Sequence, residues 1–172
     1  MRREPGNMKR TRSKEEFIYL VSQNENIIHK ICNLYAVTEV EKEDLKQEII
    51  FQLWKSFPTF RKEAKFQTWM YKVALNTALV GLRRKKPSET EITEQHLAIH
   101  DDHNPGETED KIMQLYKAIH QLNQVEKAVI FLYLERCTYK NIGRILGLSE
   151  KYISVIIVRC KEKLRKILEN HK

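Results

Sequence analysis

Hydrophobic residues recur every three or four positions along most of this chain, the spacing that puts side chains on one face of an α-helix. In the first segment, Ser13 followed by Glu16 forms a helix-capping pattern, and the apolar positions after it continue to about Tyr35. A single helix is therefore predicted there. Its inward positions are Phe17, Leu20, Val21, Ile27, Ile28, Ile31 and Leu34.

Two further helices are predicted before the middle of the chain. One spans about residues 41–56 and ends before Pro58, and the next spans about residues 66–85. The inner face of the first consists of Leu45, Ile49, Leu53 and Phe57. The stripe of the second consists of Trp69, Met70, Val73, Ala74, Thr77 and Leu82.

The helical period disappears over residues 87–107 and then returns. A helix is predicted at about residues 108–122. Another is predicted at about residues 124–136, because Asn123 with Glu126 three positions later is a second capping pattern. The second half of the chain therefore starts a new helical unit.

The segment NIGRILGLSEKYISVIIVRCKEKL predicts two helices around a tight turn. Thr138 caps the first, Gly147 ends it by adopting positive φ, and Ser149 caps the second, which runs to about residue 169. The facing apolar positions are Ile142, Ile145, Leu146, Leu148, Ile153, Ile157, Cys160 and Leu164. The outward positions are Lys151, Tyr152, Ser154, Val155 and Arg159. A DNA-binding helix-turn-helix has this arrangement, and so does a plain helical hairpin in an all-α core.

Composition agrees with a helical fold, since the 172 residues include only five Gly and four Pro. The predicted fold class is all-α, with two small helical domains joined by an acidic linker and a helix-turn-helix in the C-terminal one. The predicted divisions are a basic flexible N-terminus (1–13), a first domain (14–86), the linker (87–107) and a second domain (108–172).

Charge is divided unevenly along the chain, whose net value is +8. Residues 1–86 hold 18 Lys/Arg and 10 Asp/Glu, and residues 111–172 hold 13 and five. Residues 87–110 hold eight acids and no Lys or Arg. Two basic blocks suit two contacts with a polyanion such as nucleic acid. Two solvated domains with ordinary basic surfaces fit the same numbers.

Other chemistry is sparse. Cys32, Cys137 and Cys160 form no CxxC pair, and no apolar run approaches the roughly 20 residues of a membrane span. We expect a cytoplasmic protein with no cofactor and no direct membrane insertion. No glycine-rich phosphate loop is present, which disfavours an enzyme. Five linker residues have metal-ligand spacing, but a linker holds a rigid site poorly. They are His96, His100, Asp101, Asp102 and His103.

Three blocks in order, DLKQEIIFQLWKSF, FQTWMYKVALNTALVGLRRKK and YKNIGRILGLSEKYISVIIVRCKEKL, resemble the extracytoplasmic-function (ECF, group 4) sigma factors over about residues 14–168. The helix-turn-helix alone is weakly specific, whereas the first two blocks at this spacing are far more specific. The resemblance implies a protein that is not an enzyme. It would bind bacterial core RNA polymerase, direct it to promoter DNA and promote strand opening. An anti-sigma partner is implied by the resemblance only.

By this resemblance the first domain is sigma region 2. Its second helix would dock on the clamp helices of the polymerase through Asp44, Gln47, Glu48 and Trp54. Positions 44, 47 and 48 share one helical face, and two carboxylates with an amide suit a basic protein surface. A solvated acidic face with Trp54 in the core is the alternative.

The resemblance assigns the −10 promoter element to the third helix and the loop before it. Unstacked bases are held by aromatic and polar pockets beside a cationic track. The candidate contacts are Arg61, Lys62, Lys65, Lys72, Asn76, Arg83 and Arg84. Trp69 matches an aromatic of the family, although its apolar stripe favours the core, and Phe60 and Tyr71 fit either role.

The second domain resembles sigma region 4, which reads the −35 element. The candidate contacts are Lys151, Tyr152, Ser154, Val155, Arg159 and Lys161. The acidic linker resembles the family's connector, which lies in the RNA channel of polymerase, and an ordinary solvated linker is equally compatible.

The chain departs from the family pattern at several positions. Val80 and Gly81 replace an aspartate and an aromatic residue, and Gly143 replaces an alanine. Ile156 and Val158 stand where basic residues or histidine are frequent, so a more apolar −35 contact is expected.

A stand-alone helix-turn-helix repressor or activator is the alternative function. Such a regulator should form a dimer and bind duplex operators unaided. A sigma factor should be monomeric and act only with polymerase.

Overall fold

The computed structural model describes residues 13–61, 63–84 and 107–170, and all regular structure in these ranges is helical. The all-α prediction is therefore confirmed. The helices of the first half are α1 (Lys14–Ser22), α2 (Glu25–Tyr35), α3 (Glu39–Ser56) and α4 (Phe66–Arg84), with a 3₁₀ turn at Phe57–Thr59. Those of the second half are α5 (Glu107–His120), α6 (Gln124–Leu134), α7 (Tyr139–Leu146) and α8 (Glu150–Glu169).

The single helix predicted from Ser13 to Tyr35 is wrong, because the chain breaks at Asn24. The side-chain Nδ2 of Asn24 donates to the carbonyl of Leu20 at 2.8 Å. That carbonyl would otherwise accept from the backbone N–H of residue 24, which donates instead to the Val21 carbonyl at 2.9 Å. A local hydrogen bond thus separates α1 from α2.

The predicted caps are confirmed. Side-chain oxygens of Ser13, Asn123, Thr138 and Ser149 each accept a backbone N–H in the first turn of the helix that follows. α3 begins two residues earlier than predicted, because Thr38 caps it in a reciprocal box with Glu41.

The predicted end of α6 at residue 136 is two residues too long. Arg136 has φ 59°, and the N–H of Cys137 donates to the Leu132 carbonyl at 3.0 Å. This is the helix-ending geometry in which glycine usually occupies the left-handed position. Gly147 ends α7 as predicted, with φ 71°.

The helices bury one continuous apolar core. In the first half α2, α3 and α4 pack around Ile28, Ile31, Ile49 and Leu53. In the second half α8 packs against α5, α6 and α7, and α4 contacts both α6 and α7. Cys32 and Cys160 are buried as small hydrophobes, and burial raises the pKa of each thiol to about 11. Within the described ranges no helix is long and apolar enough to cross a membrane.

Candidate functional site

The outer face of α3 carries exposed acidic and amide side chains. Asp44, Gln47 and Glu48 are all exposed, on the side of α3 opposite the buried Ile49 and Leu53. The structure therefore brings these three predicted residues together. Because α3 buries only its inner face, the carboxylates of Asp44 and Glu48 remain exposed to water.

An apolar groove adjoins this acidic face, between α1 and α3. Trp54 packs edge-on against Phe17 with ring centroids 5.0 Å apart, yet 45% of Trp54 remains exposed. Phe51, which is 55% exposed, continues the groove. The groove is lined by Lys14, Phe17, Ile18, Gln47, Ile50, Phe51 and Trp54. Trp54 is thus not a core residue, and exposed aromatic side chains in a groove are typical of a protein interface.

Sequence reasoning missed Ile18 and Phe51 as parts of this surface. Phe51 lies four residues after Gln47 and three before Trp54, so its helical spacing could have indicated it. Ile18 comes from α1, and only the packing of α1 on α3 brings it to the groove.

A second groove lies on the other side of the carboxylates, between α3 and the end of α4. Glu41, Asp44 and Glu48 contribute to its lining together with Ala78 and Leu82. Glu48 Oε1 also accepts from Gln52 Nε2 at 2.8 Å. The acidic face of α3 is therefore flanked by apolar surface on both sides.

An aromatic cluster supports the loop before α4. Trp69 lies 5.1 Å from Phe60 and 5.2 Å from Phe66, and Phe57 lies 6.2 Å from Trp69, all between ring centroids. Phe60 is buried and Trp69 half-buried, in agreement with a packing role for Trp69. Tyr71 is also buried. Phe60, Trp69 and Tyr71 therefore do not form an open base-binding platform in this structure.

The cationic candidates around α4 are exposed where the structure describes them. Arg61 and Lys65 flank the loop, and Lys72 and Asn76 stand one turn apart on α4. Lys62, the side chains of Arg83 and Arg84, and the linker histidines and aspartates lie outside the described residues.

The N-terminal half of α8 presents the predicted recognition face. Lys151, Tyr152, Val155 and Arg159 are exposed, and Ser154 is half-buried. Ser149 Oγ accepts from the Tyr152 N–H at 3.2 Å, which fixes the start of this helix directly after the turn.

The expectation that Ile156 makes the −35 contact more apolar is wrong. Ile156 is only 7% exposed, because α5 and α6 cover a side of α8 beyond the one that packs on α7. Val158 does face solvent, with 57% of its surface exposed. The exposed aliphatic side chains of this face are thus Val155 and Val158.

Lys161 is exposed but tethered. Its Nζ donates to Tyr133 Oη at 2.8 Å and lies 4.4 Å from the centre of the same ring. The hydrogen bond to Tyr133 raises the pKa of Lys161, so the ammonium stays charged. Tyr133 on α6 therefore positions a cation of α8 itself, two residues after Arg159.

Two family models match the chain in succession. Residues 20–87 match Sigma-70 region 2, and residues 118–166 match Sigma-70, region 4. This chain belongs to the ECF sigma factors. The region 2 match covers the end of α1 and all of α2, α3 and α4, and the region 4 match covers the end of α5, all of α6 and α7, and most of α8. The sigma factor takes part in transcription initiation.

Curated relatives agree over most of the chain. The ECF RNA polymerase sigma-E factor of Haemophilus influenzae is 28% identical over 162 residues, covering 87% of this chain and 85% of that protein. The ECF RNA polymerase sigma factor SigW of Bacillus subtilis is 24% identical, covering 91% of each.

Solved structures share the fold. CnrH in complex with the cytosolic domain of CnrY superimposes with a TM-score of 0.67 at 17% identity, covering 93% of this chain and 92% of that one. RpoE in complex with the anti-sigma factor NepR from Bartonella quintana gives the same TM-score and identity, covering 91% and 96%.

Proposed function

We propose that this sigma factor docks on bacterial core RNA polymerase through the outer face of α3, using Asp44, Gln47, Glu48 and Trp54. The observation that carries the proposal is the exposed Trp54 and Phe51 beside exposed carboxylates. Apolar anchors provide affinity, while the carboxylates select a basic partner surface. Ile18 and Phe51 extend the same surface.

The remaining candidates complete the function. Promoter −10 DNA meets Arg61, Lys62, Lys65, Lys72, Asn76, Arg83 and Arg84, and the protein holds the unstacked bases so that the strands open. The −35 element meets Lys151, Tyr152, Ser154, Val155, Arg159 and Lys161. Bases are read from the start of α8, and phosphates are bound further along it.

The domain bounds follow the same proposal. Region 2 spans residues 14–86 and region 4 spans residues 108–172, with the acidic linker at 87–107 between them and a basic segment at 1–13. The chain belongs to group 4 of its family, acts in the cytoplasm without catalytic residues, and is held in check by an anti-sigma factor.

The test is the affinity of the purified chain for bacterial core RNA polymerase, compared with Glu48→Lys. Nanomolar binding corresponds to about 12 kcal/mol of docking free energy. We expect the variant to bind at least about tenfold more weakly, because it places a cation against a basic surface. Glu169→Lys makes the same charge change at the exposed end of α8 and should bind as the wild type does.

Equal loss in both variants would mean that net charge, and not the α3 face, governs docking. Wild-type binding no tighter than that of an unrelated basic protein would favour a stand-alone regulator. Light scattering then separates the two functions, since such a regulator is a dimer and the sigma factor a monomer.

A further inference from the structure

One carboxylate joins the two halves of the molecule. Glu135, just after α6, accepts a hydrogen bond from Lys30 Nζ on α2 at 2.7 Å through Oε1. Its Oε2 accepts from Tyr71 Oη on α4 at 3.0 Å. Both oxygens of a region 4 side chain are thus bound by region 2. These three residues are called the clasp below.

The clasp is partly shielded from water. Tyr71 is 8% exposed and the side chain of Glu135 is 24% exposed, whereas that of Lys30 is 47% exposed. The Tyr71 ring meets Phe131 edge-on at 5.9 Å, so the shielded part of the clasp is the Tyr71–Glu135 hydrogen bond. Burial and the hydrogen bond to Glu135 raise the pKa of Tyr71, which keeps the phenol a donor. Charge-assisted hydrogen bonds at such partly desolvated positions are stronger than those on an open surface.

A second polar contact lies nearby in the same interface. Tyr35 Oη on α2 donates to the backbone carbonyl of Gln124, at the start of α6, at 2.9 Å. The apolar core is continuous across these contacts, since α4 packs on both α6 and α7. The two halves therefore form a single packed body.

That body is too small to reach both promoter elements at once. Elements centred near positions −10 and −35 are roughly 25 base pairs apart, or about 85 Å along a duplex with a rise of 3.4 Å per base pair. A compact chain of this length has a radius of gyration of about 16 Å and a width of about 40 Å. The two halves must separate before both elements are contacted.

We infer that the clasp of Lys30, Tyr71 and Glu135 holds the free sigma factor closed, and that polymerase and promoter engage the form in which it is released. This inference rests on the proposed function. The recognition face of α8 and the exposed residues of α4 stay open to solvent in the closed form. Closure therefore limits the distance between the recognition face of α8 and the exposed residues of α4, but it leaves both surfaces exposed to solvent.

The first experiment is small-angle X-ray scattering of the full free chain. We expect a radius of gyration near 16 Å for the wild type and for the control Glu169→Lys. Glu135→Lys places two cations together at Lys30 and should raise it to about 20 Å, the value for halves whose centres lie about 32 Å apart. The exchange Lys30→Glu with Glu135→Lys restores an ion pair and should return it to near 16 Å.

Either of two scattering results would overturn the clasp. One is an expanded wild type, and the other is an exchange variant that stays as expanded as Glu135→Lys, which would indicate misfolding. Tyr71→Phe, which removes one hydroxyl and keeps the ring, should give intermediate expansion and provides a milder check.

The second experiment measures affinity for core RNA polymerase alone. Because closure reduces the fraction of competent molecules, Glu135→Lys should bind at least about threefold more tightly than wild type. Unchanged affinity with a compact wild type would show that docking needs no release, against the inference. Absence of any specific polymerase binding would refute the proposed function, while the scattering result would still decide whether the clasp exists.

Discussion

At Gly143 the backbone of the helix-turn-helix approaches too closely for a side chain. A Cβ built on Gly143 would lie 2.5 Å from the Leu148 carbonyl oxygen, far inside van der Waals contact. The N–H of Leu148 donates to the Gly143 carbonyl at 2.9 Å, so the two residues hold the turn together. The turn as this chain forms it therefore has no room for the Cβ of an alanine at position 143.

Gly143→Ala should lower the free energy of unfolding by about 1–3 kcal/mol, because the turn must move to relieve the overlap. Gly81→Ala is the matched control. A Cβ at Gly81, in α4, meets nothing within 4 Å, so alanine there should raise stability by about 0.5–1 kcal/mol through helix propensity. Urea unfolding followed by circular dichroism measures both, and a neutral Gly143→Ala would show that the turn relaxes freely.

Residue types at helix starts were a reliable guide to local structure. Ser13, Thr138 and Ser149 cap helices as predicted, because a cap needs only its own side chain and the next three residues. Asn24 and Arg136 end helices with no such unambiguous signal. The side chain of Asn24 occupies the Leu20 carbonyl, which would otherwise accept a backbone N–H of a continuing helix. Arg136 adopts a positive φ, a conformation that usually favours glycine.

At the scale of an element, the proposed function gives α8 two kinds of DNA contact along one helix. Tyr152, in its first turn, lies where side chains reach base edges, and Arg159 lies two turns further on. Base contacts provide specificity and phosphate contacts provide affinity. Substitution of Tyr152 and substitution of Arg159 should therefore affect DNA binding in different ways.

We expect Arg159→Ala to weaken holoenzyme binding to all promoter sequences alike and to reduce the slope of log affinity against log salt by about 0.9. Tyr152→Ala should cost about 1–3 kcal/mol on a preferred −35 sequence and little on others. Filter binding at several salt concentrations separates the two effects. Identical salt slopes for wild type and Arg159→Ala would exclude a phosphate contact.

The exposed side of α8 was predicted correctly except at its margin. A period of 3.6 residues indicates the centre of a buried face, but the width of that face depends on how many neighbours cover it. Ile156 is buried because α5 and α6 both pack on α8. Those contacts come from elements that the local pattern does not contain.

In the molecule as a whole, one histidine lies among cations where the halves meet. His120, the last residue of α5, is half-buried near Lys127 of α6, Lys42 of α3 and the backbone of Asn33 in α2. Burial first, and then Lys127, lower the pKa of His120 below 6.5, with Lys42 adding to the effect and Asn33 opposing it. Lys127 is itself buried, and desolvation lowers its pKa.

Stability should therefore decrease in mild acid. The folded protein binds a proton at His120 less readily than the unfolded chain, so unfolding takes up a proton once the pH falls below about 6.5. From pH 7.5 to 5.5 this group should remove up to about 1.4 kcal/mol of unfolding free energy. His120→Gln should lose less over the same interval, and urea unfolding at the two pH values compares them. An equal loss in both would assign the effect to other groups.

The sequence by itself determined the helices apart from the break between α1 and α2, most of their caps, the helix-turn-helix and the family, because these depend on neighbours within a few turns or on motifs written in order. Only the tertiary structure decided the exposure of Trp54, the burial of Tyr71 and Ile156, and the clasp. Glu135 lies 105 positions from Lys30 and 64 from Tyr71, so no local pattern relates them. Such contacts arise only when packing of α4 on α6 and α7 brings distant segments together, and this packing also determines which polar side chains leave water.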